Sequence, residues 1–196
     1  DETDLNTPEV AEALQLWVDL VKVGSASQSV LNWSQADVKD QFVAGKAAMM
    51  VNGPWQIPAL EESDVNYASV LIPVNKAGQT PLAPLGGEVW TVPATGDAEK
   101  QKKAAEFVTC MSNDENQLEL AKQRYTVPTR TALLEEYIAE VPEMETFAEQ
   151  VVNARARTGK LGTEWPAVAT QMYNAIQLAI TGKATPADAF AQAEKK

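Results

Sequence analysis

The chain has 196 residues, and its 27 Asp and Glu outnumber its 16 Lys and Arg, giving a formal net charge of −11. Such a surface repels phosphate backbones and anionic lipid, and no basic stripe with interleaved aromatics reverses that, so nucleic acid is a poor partner. There is no His, which excludes His-based triads, His-containing zinc sites and imidazole acid–base chemistry within the chain; the single cysteine, Cys110, excludes an internal disulfide or a cysteine metal cluster.

The length suits one domain of ordinary size or one large lobe. An apolar fraction of 45% suffices for a sizeable core. No run approaches the roughly 20 apolar residues of a spanning helix. Asp1-Glu2-Thr3-Asp4 lacks the basic start and apolar stretch of a signal peptide, so the chain reads as a mature product or an excised fragment. Nothing in the sequence calls for a cofactor.

In chain order, Thr7-Pro8-Glu9 is a helix start, with a capping hydroxyl, Pro at the first helical position and an acid behind it. Val10, Leu14, Trp17, Val18 and Val21 follow at helical spacing, and Gly24 ends the element. Ser25, Ser27 and Ser29 mark a loop, and Asp37 to Ala44 forms a short helix. Ala47 to Val51 is a continuous apolar run that predicts a buried strand, which Asn52-Gly53-Pro54 breaks before a helix running to about Glu62. Tyr67 to Ile72 and Leu85 to Val92 are further predicted strands, separated by a Pro- and Gly-rich loop.

The remainder is mostly helical. Asp97 caps a helix carrying Ala104, Phe107, Val108 and Met111, with Cys110 expected as a buried thiol. Shorter helices span Asp114 to Gln123, Thr131 to Ala139 and Pro142 to Ala156. Pro166 to Thr181 stops at Gly182, and Thr185-Pro186-Ala187-Asp188 opens a last helix. The pattern is α/β, weighted toward helix with a few central strands.

The break at Gly53 is the most informative place. Ligands collect at the carboxyl ends of strands in open α/β sheets, Gly53 permits close backbone approach, and a first helical turn offers free N–H groups. Trp55 there either packs in the core or presents a flat apolar face with an N–H edge, a surface on which sugar rings stack.

Phe42-Val43-Ala44-Gly45-Lys46-Ala47-Ala48-Met49-Met50-Val51-Asn52-Gly53-Pro54-Trp55 resembles the signature of the maltose-type (family 1) extracellular solute-binding proteins. Asn66-Tyr67 leading to Leu71-Ile72-Pro73, Gly86-Gly87, Ala104 to Phe107, Val127-Pro128-Thr129-Arg130 and Ile180-Thr181-Gly182-Lys183 follow the family's order. The resemblance covers nearly the whole chain, and its Gly-Pro-Trp segment is the diagnostic part. It implies one half of a two-lobed (type II) periplasmic-binding-protein fold, a helix-rich lobe around a small central β-sheet. Residues 1–196 would be the C-terminal lobe, with the N-terminal lobe absent. The fragment alone would then bind weakly, because half of the ligand contacts and the closing motion are missing.

The same resemblance assigns Trp55 to stacking on a mono- or oligosaccharide. Trp33 and Trp165 become further cleft aromatics, Gly87 and Glu88 a stretch that brings backbone and an acceptor to ligand hydroxyls, and Arg155, with Arg157, a donor. Packing or solvation accounts for each of these residues as the alternative, and Trp90 is expected in the core. The implied role is a non-enzymatic receptor, periplasmic or extracellular, that hands its solute to ABC permease subunits in the membrane, with lipid anchoring of the full-length protein left open. A carbohydrate-active hydrolase using paired carboxylates and a helical interaction module are the alternatives.

Overall fold

Thr7 opens the first helix as its chemistry requires: its hydroxyl accepts from the Val10 N–H at 3.2 Å and Pro8 takes the first helical position of α1 (Pro8–Lys22). The structure is a computed structural model that describes residues 5–156 and 161–193. These residues fall into two compact units. One comprises the described residues up to Gln41 and from Leu161 onward; the other is Phe42–Ala156. The division lies within α2 (Gln35–Val43).

In the first unit, α1 packs with α8 (Trp165–Ile180) and α9 (Pro186–Ala193). Their shared core is Leu14, Ala175, Ala179, Ala189, Phe190 and Ala193. Four alanines keep the helices close, and Phe190 supplies the bulk. Gly182, at φ 73°, ends α8 in the left-handed region that glycine tolerates. Thr185 then caps α9, accepting from the Asp188 N–H at 3.2 Å and donating to its carboxylate at 2.7 Å.

The second unit contains α3 (Ile57–Glu61), α4 (Ala98–Met111), α5 (Asp114–Arg124), α6 (Leu134–Glu140) and α7 (Glu145–Val152). Ile57, Leu118, Ala121, Tyr137, Val141 and Met144 form its core, and Tyr137 and Met144 are fully enclosed. Tyr125 follows α5 at φ 50°, a left-handed conformation that few non-glycine residues adopt, and its side chain packs against this core. The helix starts follow the sequence. Asp97 accepts from the Lys100 N–H, and Asn113 from the Asn116 N–H.

Among the described residues the three predicted strands do not pair with one another, and of their residues only Leu85 joins a ladder. Among the described residues, strand pairing joins β1 (Pro84–Leu85) and β2 (Arg155–Ala156), parallel, with Pro84 opposite Arg155 and Leu85 opposite Ala156. The predicted buried run Ala47 to Val51 is instead exposed at Met49 (87%) and Val51 (78%). A strand is made by its neighbours, and none lies alongside this run within the described residues. Tyr67 to Ile72 is held by α7: the Gln150 side chain accepts from the Ile72 N–H at 2.9 Å and donates to the Pro81 carbonyl at 3.0 Å. Thr146 adds a bond to the Ser69 carbonyl at 3.4 Å.

Cys110 is exposed, not buried. The half-buried face of α4 carries Gln101, Ala104, Val108 and Met111, and at 100° per residue Cys110 lies on the opposite side. No helix among the described residues is long and apolar enough to cross a membrane.

Tyr137 gives the second core its polar anchor, donating from its hydroxyl to the Ala121 carbonyl at 3.3 Å. Tyr137→Phe should lower unfolding free energy by about 1 kcal/mol, and Tyr137→Ala by about 3–5 kcal/mol, in urea denaturation. Burial, with Tyr125 and Glu143 adding repulsion, pushes the phenol from 10.0 up to about 12. The unfolded chain therefore releases this proton first. The stability contributed is full below pH 10.0 and falls as pH rises toward 12, a loss that Tyr137→Phe should abolish in alkaline melts.

Candidate functional site

Asn52-Gly53-Pro54 turns the chain because Pro54 begins a 3-10 turn (Pro54–Gln56) that leads straight into α3. The Asn52 carboxamide accepts from the Gly53 N–H at 2.9 Å, and the Gln56 N–H donates back to the Gly53 carbonyl at 3.2 Å. Trp55 folds its indole over this turn. A Cβ at position 53 would overlap the six-membered ring at Cη2, Cζ2 and Cζ3, so only glycine leaves room for it. Directly beyond, Ile57 (2% exposed) and Leu60 (4%) sink into the interior, tying the turn to packed structure. Trp55 itself remains 51% exposed. A flat aromatic side chain thus stands half-exposed beside a turn that is tied to the core.

The second group of candidate residues lies around β1 and β2. Gly86 and Gly87 continue β1 in open space, with nothing near the position of a Cβ at either residue. Arg155, on β2, donates its N–H to the Ala83 carbonyl at 2.9 Å, and its guanidinium bonds the Ala154 carbonyl at 3.0 Å. The two strands therefore bring Arg155 alongside the start of the Gly86-Gly87-Glu88 stretch. Glu88 meets Arg124, at the end of α5, with 3.2 Å between Oε1 and Nη2. Both are well exposed, so the pair orients the carboxylate more than it stabilises the fold. Trp90 is not in the core: it is 51% exposed and packs edge-on against Phe107, with ring centroids 5.7 Å apart.

Trp33 and Trp165 belong to the other unit. Trp33 is half-buried between the 3-10 turn Gln28–Leu31 and the cap of α2. There Ser34 and Asp37 cap each other. The Ser34 N–H and hydroxyl both reach the Asp37 carboxylate at 2.7 Å, and the Asp37 N–H returns to the Ser34 hydroxyl at 3.3 Å. The hydroxyl bond, then the backbone bond, hold the Asp37 carboxyl below its ordinary value. Trp165 is half-buried at the first position of α8, followed by Pro166. Arg157 lies outside the described residues.

Sequence reasoning missed Gly53 as the seat of the indole, although the two-residue spacing to Trp55 is visible. It also missed Arg124, whose partner lies 36 positions away and leaves no local signal. A shallow cavity of about 460 Å³ along the Pro73–Leu82 loop is lined by Val74, Asn75, Gln79 and Thr80, and touches none of the six candidate residues. Among the described residues no group of three or more carboxylates or thiols is placed to hold a metal.

The chain shares its fold with solved structures of about twice its length. It superposes on the maltose-bound MalE3 of T. maritima with a TM-score of 0.83 at 24% identity, covering 100% of this chain and 52% of that one. Maltose-binding periplasmic protein MalE of Listeria monocytogenes, solved with maltose, gives a TM-score of 0.73 at 24% identity, over 97% of this chain and 49% of the other. The family model described as bacterial extracellular solute-binding protein matches residues 1–148, and the chain belongs to that family. A galactooligosaccharide-binding protein of Bacillus subtilis is 25% identical over 155 residues, 78% of this chain and 35% of its own length. A maltooligosaccharide ABC transporter solute-binding lipoprotein of Streptococcus pneumoniae is 30% identical over 95 residues, 48% of this chain and 22% of its own. This chain thus spans about a third or less of these curated relatives in alignment, and about half of the solved structures.

Two outcomes check the site geometry. Gly53→Ala should displace the Trp55 indole, seen as a shifted emission maximum and altered acrylamide quenching relative to Trp55→Phe, with the fold kept by circular dichroism. Because the folded Asp37 carboxyl is held low, its stabilising contribution is present above the unfolded value and is lost as pH falls through the lowered folded value. Asp37→Asn should remove that part of the acid transition in melts below pH 5, while leaving the neutral-pH spectrum unchanged.

Proposed function

We propose that the polypeptide carrying these residues is a carbohydrate receptor outside the cytoplasmic membrane that hands a mono- or oligosaccharide to the permease subunits of an ABC importer, and that it performs no catalysis. The observation that carries the reading is the half-exposed Trp55 indole seated on Gly53 and anchored through Ile57. Its exposed surface offers the apolar contact that the C–H side of a pyranose covers. Family membership, and relatives named for binding galacto- and maltooligosaccharides, support the sugar class. The lipoprotein name of one relative supports a lipid-anchored form.

In this reading residues 1–196 are the C-terminal lobe, and an N-terminal lobe completes the cleft. Trp55 stacks on one sugar ring, and Trp33 and Trp165 supply further aromatic faces. The Gly87 backbone approaches the ligand, Glu88 accepts from ring hydroxyls with Arg124 fixing its direction, and Arg155 donates. Closure of the two lobes over the solute produces the form that docks on the permease. The acidic surface is compatible with neutral hydroxylated ligands and unfavourable for anionic ones.

Intrinsic fluorescence of the full-length receptor, titrated with a panel of mono- and oligosaccharides, tests this. One sugar class should give a saturable shift, and Trp55→Ala should weaken it by about 2 kcal/mol, roughly thirtyfold in Kd. No response to any sugar would overturn the carbohydrate reading, and an unaffected Trp55→Ala would remove Trp55 from the site.

A further inference from the structure

Of the nine asparagines in the sequence, Asn52 alone is followed by glycine. Its carboxamide is turned back on its own chain: Oδ1 accepts from the Gly53 N–H at 2.9 Å, while Nδ2 donates to the Met50 sulfur at 3.9 Å. Closure of the Gly53 nitrogen on Asn52 Cγ makes a five-membered ring. The hydrogen bond already holds that nitrogen beside the carboxamide carbon, because Cγ lies only about 1.2 Å from Oδ1. Gly53 has no Cβ to crowd the approach, and both residues are half-buried, within reach of water.

We propose that Asn52 is a self-modification site, at which the Gly53 nitrogen converts the asparagine through a cyclic imide to aspartate and isoaspartate and so unseats Trp55. Hydroxide takes the Gly53 amide proton, the nitrogen bonds to Cγ, and the Cγ–Nδ2 bond breaks. The side-chain nitrogen leaves as ammonia with a proton from water, which restores the hydroxide. Water then opens the imide on one of its two sides, and nothing is oxidised or reduced. Attack at Cγ releases the Gly53 nitrogen from it and gives aspartate, with the main chain unchanged. Attack at the backbone carbonyl carbon of residue 52 breaks the original peptide bond instead and gives isoaspartate. Its main chain runs through Cβ and Cγ and is longer by one carbon. That carbon enters directly before the residue that seats the indole. The Trp55 ring fills the space of a Cβ at position 53, a fit that a displaced backbone does not preserve. Glycine at 53 acts on both events: the missing Cβ that admits the ring also leaves the nitrogen uncrowded. The chemistry is independent of the solute; only its effect on a sugar response rests on the receptor reading.

Peptide mapping by mass spectrometry, on the complete folded polypeptide held at mildly alkaline pH, tests this. Asn52 should show the mass gain of amide-to-acid conversion before any other asparagine, and sooner as pH rises. An isoaspartyl methyltransferase should label the same peptide. Emission from Trp55, taken as the difference from Trp55→Phe, should shift in step with the isoaspartate fraction. Asn52→Gln, in which closure needs a six-membered ring, should lose both the conversion and the shift. The wild-type time course decides the matter even where a variant fails to fold. Conversion at another asparagine first, or at Asn52 only after urea unfolds the chain, would overturn the proposal. So would conversion at Asn52 that leaves Trp55 emission unchanged. A protein that converts at Asn52 yet answers no sugar would sink the receptor reading and leave this one standing.

Discussion

The Trp55 indole lies in the volume where any residue but glycine would place its Cβ at position 53. That exclusion organises the surface around it. The ring lies close to the Gly53 backbone and remains half-exposed. Pro54 fixes the turn, and two residues beyond the indole Ile57 enters the core made by Leu118, Ala121, Tyr137, Val141 and Met144. Contact with Gly53 limits the ring on one side, while its other surface stays exposed. The sequence order Gly-Pro-Trp is therefore a mechanical unit: room for the ring, a stiff bend, then the ring itself.

How far this could be read from sequence depended on how local each determinant is. The helices were legible because their signals sit within a turn. Thr7, Asp97 and Thr185 cap where their side chains predict, and Gly182 ends α8 with the positive φ that its residue type suggests. Strands were not legible, because pairing is a property of two segments: among the described residues it joins Pro84–Leu85 with Arg155–Ala156, the latter placed in a helix by its local pattern. Cys110 and Trp90 failed for one reason. Apolar character signals burial on average, but the face of α4 that is covered is decided by its neighbours. Among the candidate residues, Trp55 is marked by its motif, while Arg124, brought to Glu88 by the end of α5, leaves no trace nearby.

Charge is handled at the surface. Among the described residues no polar or charged side chain is buried, and the ion pairs join exposed or half-exposed groups such as Lys122 with Glu140 and Arg130 with Asp114. Such pairs add little stability in water. They do fix directions, holding α5 to α6 and the Val127–Arg130 segment to the start of α5. The interior is left to apolar packing, with the Tyr137 hydroxyl as a buried polar tip that finds a carbonyl.

Gln150 binds Ile72 with one end of its amide and Pro81 with the other. A single side chain thereby clamps both feet of the arch between them, as a clasp closes a bracelet. The entropic penalty for lengthening a closed arch grows only with the logarithm of its span, about 0.6 kcal/mol per doubling. With its feet clamped from α7, the crown of the arch from Asn75 to Gln79 is free to vary in length and composition while its footing stays in place. The arch can thus diverge in sequence while Gln150 keeps its two ends in place.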